Sequence, residues 1–278
     1  MSFARNLAFA SVFALVAGSV LVAQTTQTEP PTPPSPSTQS APPQAIDQVL
    51  VKDPSQLTPN EITGIQKKLA DYGQLARYAA ANAALPTAPA DRVVFFGDSI
   101  TDAWGNGANA ATFFPGKPYL DRGIGGQTTP QMLVRFQQDV VALKPAVVLI
   151  LAGTNDIAGN TGLETPQHIQ DNFRSMATIA DANHIQLVLA SILPVDDYAW
   201  RRGLEPAEKV RSMNAWLKQF CADHNYIYLD YYTSLATPEG AMKPGLSRDG
   251  VHPTAAGYAI MAPLAQAAID QAFGKTKR

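Results

Sequence analysis

The chain is short of cysteine, of histidine and of net charge. A single cysteine among 278 residues, Cys221, excludes an intramolecular disulfide framework and any cysteine metal cluster. Its setting, WLKQFCADHNY, is that of a small buried hydrophobe late in a helix. Lys and Arg total 21 against 23 Asp and Glu, a formal net charge of -2, so the chain offers neither a basic surface for nucleic acid nor an acidic tail. A GxGxxG fingerprint, a GxxxxGK[ST] loop and an HExxH pair are all missing, which removes the usual dinucleotide, phosphate and zinc-protease readings. Asp98, Asp102, Asp156 and His252 could be gathered into a carboxylate-rich metal site, but no convergent set of histidines supports one. No metal or organic cofactor is therefore expected.

Proline is plentiful but unevenly placed. Seven of the 22 lie in Gln24 to Gln44, a stretch with one charge, Glu29. Such a segment builds no core and reads as an extended spacer. Before it, Arg5 and the uncharged run Leu7 to Ala23 match the basic and apolar regions of an export signal. The expected organisation is a signal peptide over 1–23, a Pro/Thr/Ser-rich linker over 24–57 and one folded domain over 58–278. A secreted or periplasmic location follows, with no stable membrane insertion once the signal is removed; the alternative is retention of the apolar run as an N-terminal anchor.

The domain begins with a capping box, Thr58-Pro59-Asn60-Glu61, followed by Ile62, Ile65, Leu69, Tyr72, Leu75 and Ala79 at helical spacing. This predicts one added N-terminal helix covering the sheet, although its apolar residues leave self-association open. Strands are predicted at Arg92 to Phe96, Tyr119 to Asp121, Ala146 to Leu151, Ile185 to Ala190 and Tyr226 to Leu229. Helices start near Thr129-Pro130, Thr165-Pro166, Glu205-Pro206 and Thr254. Continuous apolar strands alternating with helices make a parallel, open α/β sandwich the economical architecture.

In such a sheet the reactive groups belong beyond the carboxyl ends of the strands. Of four histidines, His184 and His224 precede strands and fall on the opposite edge, and His168 has no partner arrangement to explain it. His252 follows Asp249 by three residues in a Gly- and Pro-rich turn, a spacing that lets the carboxylate set one ring nitrogen while the other faces a nucleophile. Ser99, at the sharp crossing after VVFFGD, is the matching nucleophile, with a helix cap as its plainer role. Gly126 and the Asn155 amide, with the Ser99 N–H, are candidate donors to an oxyanion.

Ser99 in FFGDSITDAW, Gly126 in RGIGGQTT, Asn155 in LAGTNDI, and Asp249 with His252 in RDGVHPT resemble the four ordered blocks of the SGNH (GDSL-type) hydrolases. The resemblance implies a flavodoxin-like three-layer sandwich and hydrolysis of acyl esters. It assigns Ser99, Asp249 and His252 as the triad and Ser99, Gly126 and Asn155 as the oxyanion hole. GDSI replaces the commoner GDSL, and Gly125 stands where Ser often precedes the oxyanion Gly, as in the branch resembling platelet-activating-factor acetylhydrolases. The expected function is a serine esterase for short acyl, chiefly acetyl, carboxylic esters. The alternatives are a carbohydrate acetylesterase acting on acetylated polysaccharide, and, from another class, a noncatalytic carbohydrate-binding surface protein. Trp104, Phe113 and Phe114 after the nucleophile, and Tyr198, Trp200, Arg201 and Arg202 after the fourth strand, are candidate walls of a substrate groove, their plainer role being loop packing and solvated charge. Tyr119 opens the second strand and can face the core instead.

Overall fold

A computed structural model describes residues 48–105, 112–162 and 164–276. The segments read as signal peptide and most of the proline-rich linker lie outside the described residues.

Five short strands form one parallel sheet: β1 Val93–Gly97, β2 Tyr119–Gly123, β3 Val147–Leu151, β4 Gln186–Ala190 and β5 Ile227–Leu229. Their order is β2-β1-β3-β4-β5, every neighbouring pair parallel. Each strand begins within one residue of its predicted start. The helices are α1 Gln48–Val51, α2 Pro59–Ala70, α3 Ala76–Ala83, α4 Ser99–Gly105, α5 Thr129–Asp139, α6 Thr154–Ile157, α7 Pro166–Ala182, α8 Pro206–His224, α9 Tyr232–Leu235 and α10 Ala255–Thr276.

Strand alternation divides the core into two layers. Val94, Phe96, Val148, Ile150, Leu187 and Leu189 face α5, α7 and α8 through Met132, Phe136, Phe173, Met176 and Leu217. Val93, Phe95, Val147, Leu149, Val188 and Ala190 face α4 and α10 through Ile100, Trp104, Tyr258, Met261 and Ile269. Both faces of the sheet are covered, as the apolar strands require, and the three-layer sandwich is the flavodoxin-like one the motifs imply. Cys221 is buried in the first of these layers, and burial pushes its thiol up to about 12.

The N-terminal element departs from expectation. Thr58 and Glu61 do form the capping box, but the predicted single helix is broken between α2 and α3, where Gln74 has φ 54°. It does not cover the sheet: Leu69 is 76% exposed, and Ile62, Tyr72 and Leu75 are also exposed. Polar contacts dock it instead. Gln131, Gln127 and Gln138 donate side-chain N–H groups to the carbonyls of Tyr72, Gly73 and Leu75 at 2.8, 2.9 and 2.7 Å. Apolar spacing suggested burial, whereas three glutamines at and around α5 capture the backbone of the crossing. Before α2 the chain forms α1 and a 3-10 turn at Pro54–Gln56. Asp53 caps that turn, and Lys52 reaches Glu61 at 3.1 Å.

Candidate active site

The strand order places β1 between β2 and β3, so the loops after these three strands meet at one edge, at the point where the order reverses. Ser99 begins α4 two residues after β1, Gly126 follows β2, and Asn155 lies in α6 after β3. Gly97 is required at the end of β1, since a Cβ there would lie 2.7 Å from the Leu151 carbonyl oxygen and 2.1 Å from Thr101 Oγ1. That contact lets the chain turn sharply into Asp98 and Ser99.

His252 comes from the loop before α10. Its Nε2 lies 2.9 Å from Ser99 Oγ, and its Nδ1 lies 2.6 Å from Asp249 Oδ2. A carboxylate only accepts, so the Nδ1 proton points at Asp249 and the Nε2 lone pair at the serine. The other carboxylate oxygen, Oδ1, accepts from the backbone N–H groups of His252 and Val251 at 2.8 and 3.0 Å. Partial burial raises the Asp249 carboxyl, but these donors outweigh it and hold the group at about 2. Ser247 closes the loop by donating to the His252 carbonyl at 2.9 Å, and Tyr258 of α10 donates to the Ile100 carbonyl of α4 at 2.6 Å. The histidine loop is thus tied to the helix that carries the serine.

The RGIGGQT loop runs against the same serine. A Cβ on Gly125 would be 3.8 Å from that of Ser99, so glycine here leaves the space above the serine open. Gly126 has φ 77°, a backbone conformation costly for any side chain bearing a Cβ. Asn155 is buried, its Nδ2 donating to the Gln127 carbonyl at 3.0 Å and reaching Asp98 Oδ2 at 3.3 Å. Its carbonyl oxygen accepts from Asn160 Nδ2 at 2.7 Å, which fixes the amide orientation. The sequence alone marks Asp98 within the polar Gly97-Asp98-Ser99 cluster after the first strand and as a metal-ligand candidate, and it gives Asn160 no feature that distinguishes it from a loop asparagine.

The three carboxylates that with His252 could form a metal site have separate partners. Asp98 Oδ1 accepts from Ile100 N, Asp102 meets Arg77 at 3.3 Å, and Asp156 accepts from Thr129 N and Oγ1 at the start of α5. Burial pushes Asp98 up to about 6, against the Ile100 N–H and the nearby His252, and pushes Asp156 up to about 7. Among the described residues no three His, Cys, Asp or Glu side chains group as a metal site.

Of the candidate groove residues, the structure keeps some and removes others. Trp104 is 2% exposed and packs with Phe95, Phe113, Phe114 and Tyr258, so it is core and not a substrate wall. Phe113, Phe114 and Tyr119 join the same aromatic cluster around Phe95. Tyr198 is also buried, its hydroxyl bonded to the Thr154 carbonyl at 2.9 Å; its ring supports that of Trp200 at 5.0 Å. Helical and strand registers were not decisive in these loops, and tertiary packing drew both rings inward. Trp200 remains 44% exposed, 6.3 Å from the His252 ring. Arg201 donates to the Ala158 and Gly159 carbonyls, and Arg202 stands out in solvent 3.9 Å from Asp197. His168 is exposed beside Glu164, and His224 stacks on Tyr226 away from the serine.

A cleft of about 560 Å³ opens at Gly125 and Gly126. Asn160, Thr161, Trp200 and Arg201 line one side, and Lys67, Lys68, Asp71, Tyr72 and Gln74 the other. The second wall comes from the N-terminal element, which the strand and motif pattern did not connect with the site.

Residues 95–260 match the model of the GDSL-like Lipase/Acylhydrolase family. A GDSL-like lipase from Bacteroides thetaiotaomicron is 40% identical, with a TM-score of 0.69 over 72% of this chain and 99% of that one. A Bacteroides fragilis protein provisionally named an acylhydrolase is 43% identical, with a TM-score of 0.69 over 72% and 98%. An acetylxylan esterase from Geobacillus stearothermophilus is 26% identical over 200 residues, 62% of this chain and 90% of that protein.

Proposed function

The chain belongs to the GDSL-like lipase/acylhydrolase family and is a serine-type ester hydrolase for short acyl groups, and we propose that Ser99, His252 and Asp249 carry its chemistry and that its substrates are acetylated carbohydrates. The observation that carries the chemistry is the continuous relay from Ser99 Oγ through His252 to Asp249, at 2.9 and 2.6 Å.

His252 Nε2 takes the Ser99 proton as Oγ attacks the acyl carbon, and Asp249 stabilises the imidazolium that results. The carbonyl electrons move onto oxygen, where the N–H groups of Ser99 and Gly126 and the Asn155 amide receive the charge. Asn155 Nδ2 is engaged in the resting site, so this donation shifts its long contact with Asp98 and keeps the shorter one with Gln127. Collapse expels the alcohol, protonated by His252. Water then attacks the acyl-serine, with His252 again as base, and the acid leaves.

Support for an acetylated carbohydrate comes from the exposed Trp200 face in the cleft and from the acetylxylan esterase relative. A sugar ring lays its apolar face on such an indole. We further infer export, on the Arg5 and Leu7 to Ala23 pattern, which would bring the enzyme to polymeric substrates.

The test compares native protein with Ser99→Ala on acetylated xylo-oligosaccharides and on 4-nitrophenyl acetate, with circular dichroism as a folding control. A loss of at least about 10³-fold in turnover is expected. Turnover undiminished in a folded variant would remove Ser99 as nucleophile, and hydrolysis confined to small aryl esters would remove the carbohydrate reading.

A further inference from the structure

The loop that carries Gly126 has no side chain at its centre to hold it. Gly125 and Gly126 are consecutive, and Gly126 sits at φ 77°, so one proposed oxyanion donor lies on the most conformationally free part of the loop. The first side chain after it is that of Gln127, which is wholly buried.

Gln127 is bonded at both ends of its amide and through its backbone. Its Oε1 accepts from Arg135 Nε at 2.5 Å, and its Nε2 donates to the Gly73 carbonyl at 2.9 Å. A guanidinium only donates and a carbonyl only accepts, so these two neighbours fix which way the amide faces. The carbonyl of Gln127 accepts from Asn155 Nδ2 at 3.0 Å. One residue thus adjoins Gly126 in the chain and the Asn155 amide in space.

The arrangement repeats at Gln131, whose Nε2 donates to the Tyr72 carbonyl at 2.8 Å while its Oε1 accepts from Thr128 N at 3.2 Å. Consecutive carbonyls of the crossing between α2 and α3 are therefore tied, directly or through Gln131, to Gln127 and Thr128. Gly73 is what allows the approach. A Cβ there would lie 2.8 Å from Val134 Cγ1 and 3.3 Å from Val134 Cβ on α5, so only glycine lets this carbonyl reach Gln127.

We propose that Gln127 is a positioning residue for ester hydrolysis and that the crossing at Tyr72 and Gly73 braces it, so that the N-terminal element holds the Gly126 N–H and the Asn155 amide where the oxyanion forms. It rests on the reading of Gly126 and Asn155 as oxyanion donors, and it brings into the site a segment outside the family match, which begins at residue 95. Such donors act only within a narrow range of the developing charge. A shift of the loop therefore slows the chemical step and leaves a small ester free to bind.

The experiment reads kcat and KM separately on 4-nitrophenyl acetate in the full-length chain, with melting temperature as the folding control. Gln127→Glu keeps an oxygen for Arg135 and replaces the donor to Gly73 by an acceptor; kcat should fall about tenfold, with KM within about twofold of native. Gly73→Ala tests the same contact from the other side. A β-branched residue on a helix has one strongly preferred rotamer, so the added methyl pushes the crossing off Val134 and kcat should fall about threefold or more. Val134 is 52% exposed, so Val134→Ala should by itself be native, and combined with Gly73→Ala it should restore most of the loss. Native kcat in folded Gln127→Glu, a loss confined to KM, or a Gly73→Ala loss that Val134→Ala does not relieve overturns the proposal. If Gln127→Glu does not fold, the Gly73 and Val134 variants decide it. Native turnover in folded Asn155→Ala would overturn the oxyanion reading and the proposal with it, whereas an impaired Asn155→Ala beside a native Gln127→Glu removes the positioning role alone.

Discussion

Arg135 Nη2 donates to the carbonyl of Gly97, the last residue of β1 and two residues before Ser99, at 2.9 Å. The same guanidinium, wholly buried, donates to the Arg122 carbonyl near the end of β2 and to Gln127 Oε1 in the RGIGGQT loop, and lies over the Phe96 ring. One side chain thus ties together two strand ends and the loop that carries Gly126. Its charge is balanced by Asp139, also buried, at 3.3 Å. Arg135→Met should destabilise the fold by about 3 kcal/mol or more, because three acceptors and a buried carboxylate lose a charged donor. Urea denaturation measures the loss, and a change below about 1 kcal/mol would show that Gln127 and the strand ends hold without it.

The proposed oxyanion donors invite a graded test. Asn155→Ala should lower kcat/KM by about 10²- to 10³-fold, the usual cost of one such donor. Asn160→Ala leaves the amide present but free to turn, so a smaller fall of about tenfold is expected, mainly in kcat. Equal effects of the two substitutions would contradict a purely orienting part for Asn160.

Burial pushes the Asp121 carboxyl up to about 7, with the charge of Asp102 adding to it. One of its oxygens, Oδ2, is buried with no hydrogen-bond partner among the described residues. An unfolded aspartate titrates near about 3.9, so between that value and about 7 the folded chain holds the extra proton. Stability contributed by the protonated form is complete below the unfolded value and is lost as pH rises through about 7. Asp121→Asn should weaken this decline and raise stability at pH 8 more than at pH 4. Thermal melts across that range check it, and parallel curves for the two proteins would refute the assignment. Asp156, also raised to about 7, keeps part of the slope in the variant.

Trp104 and Trp200 should separate stability from recognition. Trp104→Ala removes a core ring and should cost about 3–5 kcal/mol in chemical denaturation. Trp200→Ala, on an exposed ring, should change stability by less than about 1 kcal/mol while raising KM for acetylated oligosaccharides several-fold. A KM for Trp200→Ala indistinguishable from native on oligosaccharides would take this ring out of the binding surface.

The acid limb of the rate profile should have a slope of one proton. In the proposed mechanism one base takes one proton, and Asp249, held at about 2, stays ionised across the range in which an ordinary carboxylate would protonate. A slope of two in kcat/KM well above that value would show that the Asp249 carboxylate is protonated there.

The sequence by itself determined the sheet, because strands covered on both faces must be apolar throughout, and that pattern survives in Val93 to Phe96 and in Val147 to Leu151. It also singled out Ser99, Asp249, His252, Gly126 and Asn155, whose local settings, a turn after a strand or a tight loop before a helix, are written in neighbouring residues. Only the tertiary structure decided which aromatic residues stay exposed: Trp104 on α4 is buried against Tyr258, Tyr198 is buried with its hydroxyl on Thr154, both partners remote in the chain, and Trp200 is left at the surface. Tertiary structure likewise turned a predicted sheet-covering helix into a cleft wall. Its apolar spacing described a helix correctly in part, but its docking depends on glutamine side chains that come more than fifty residues later, and no local pattern encodes a hydrogen bond across that distance.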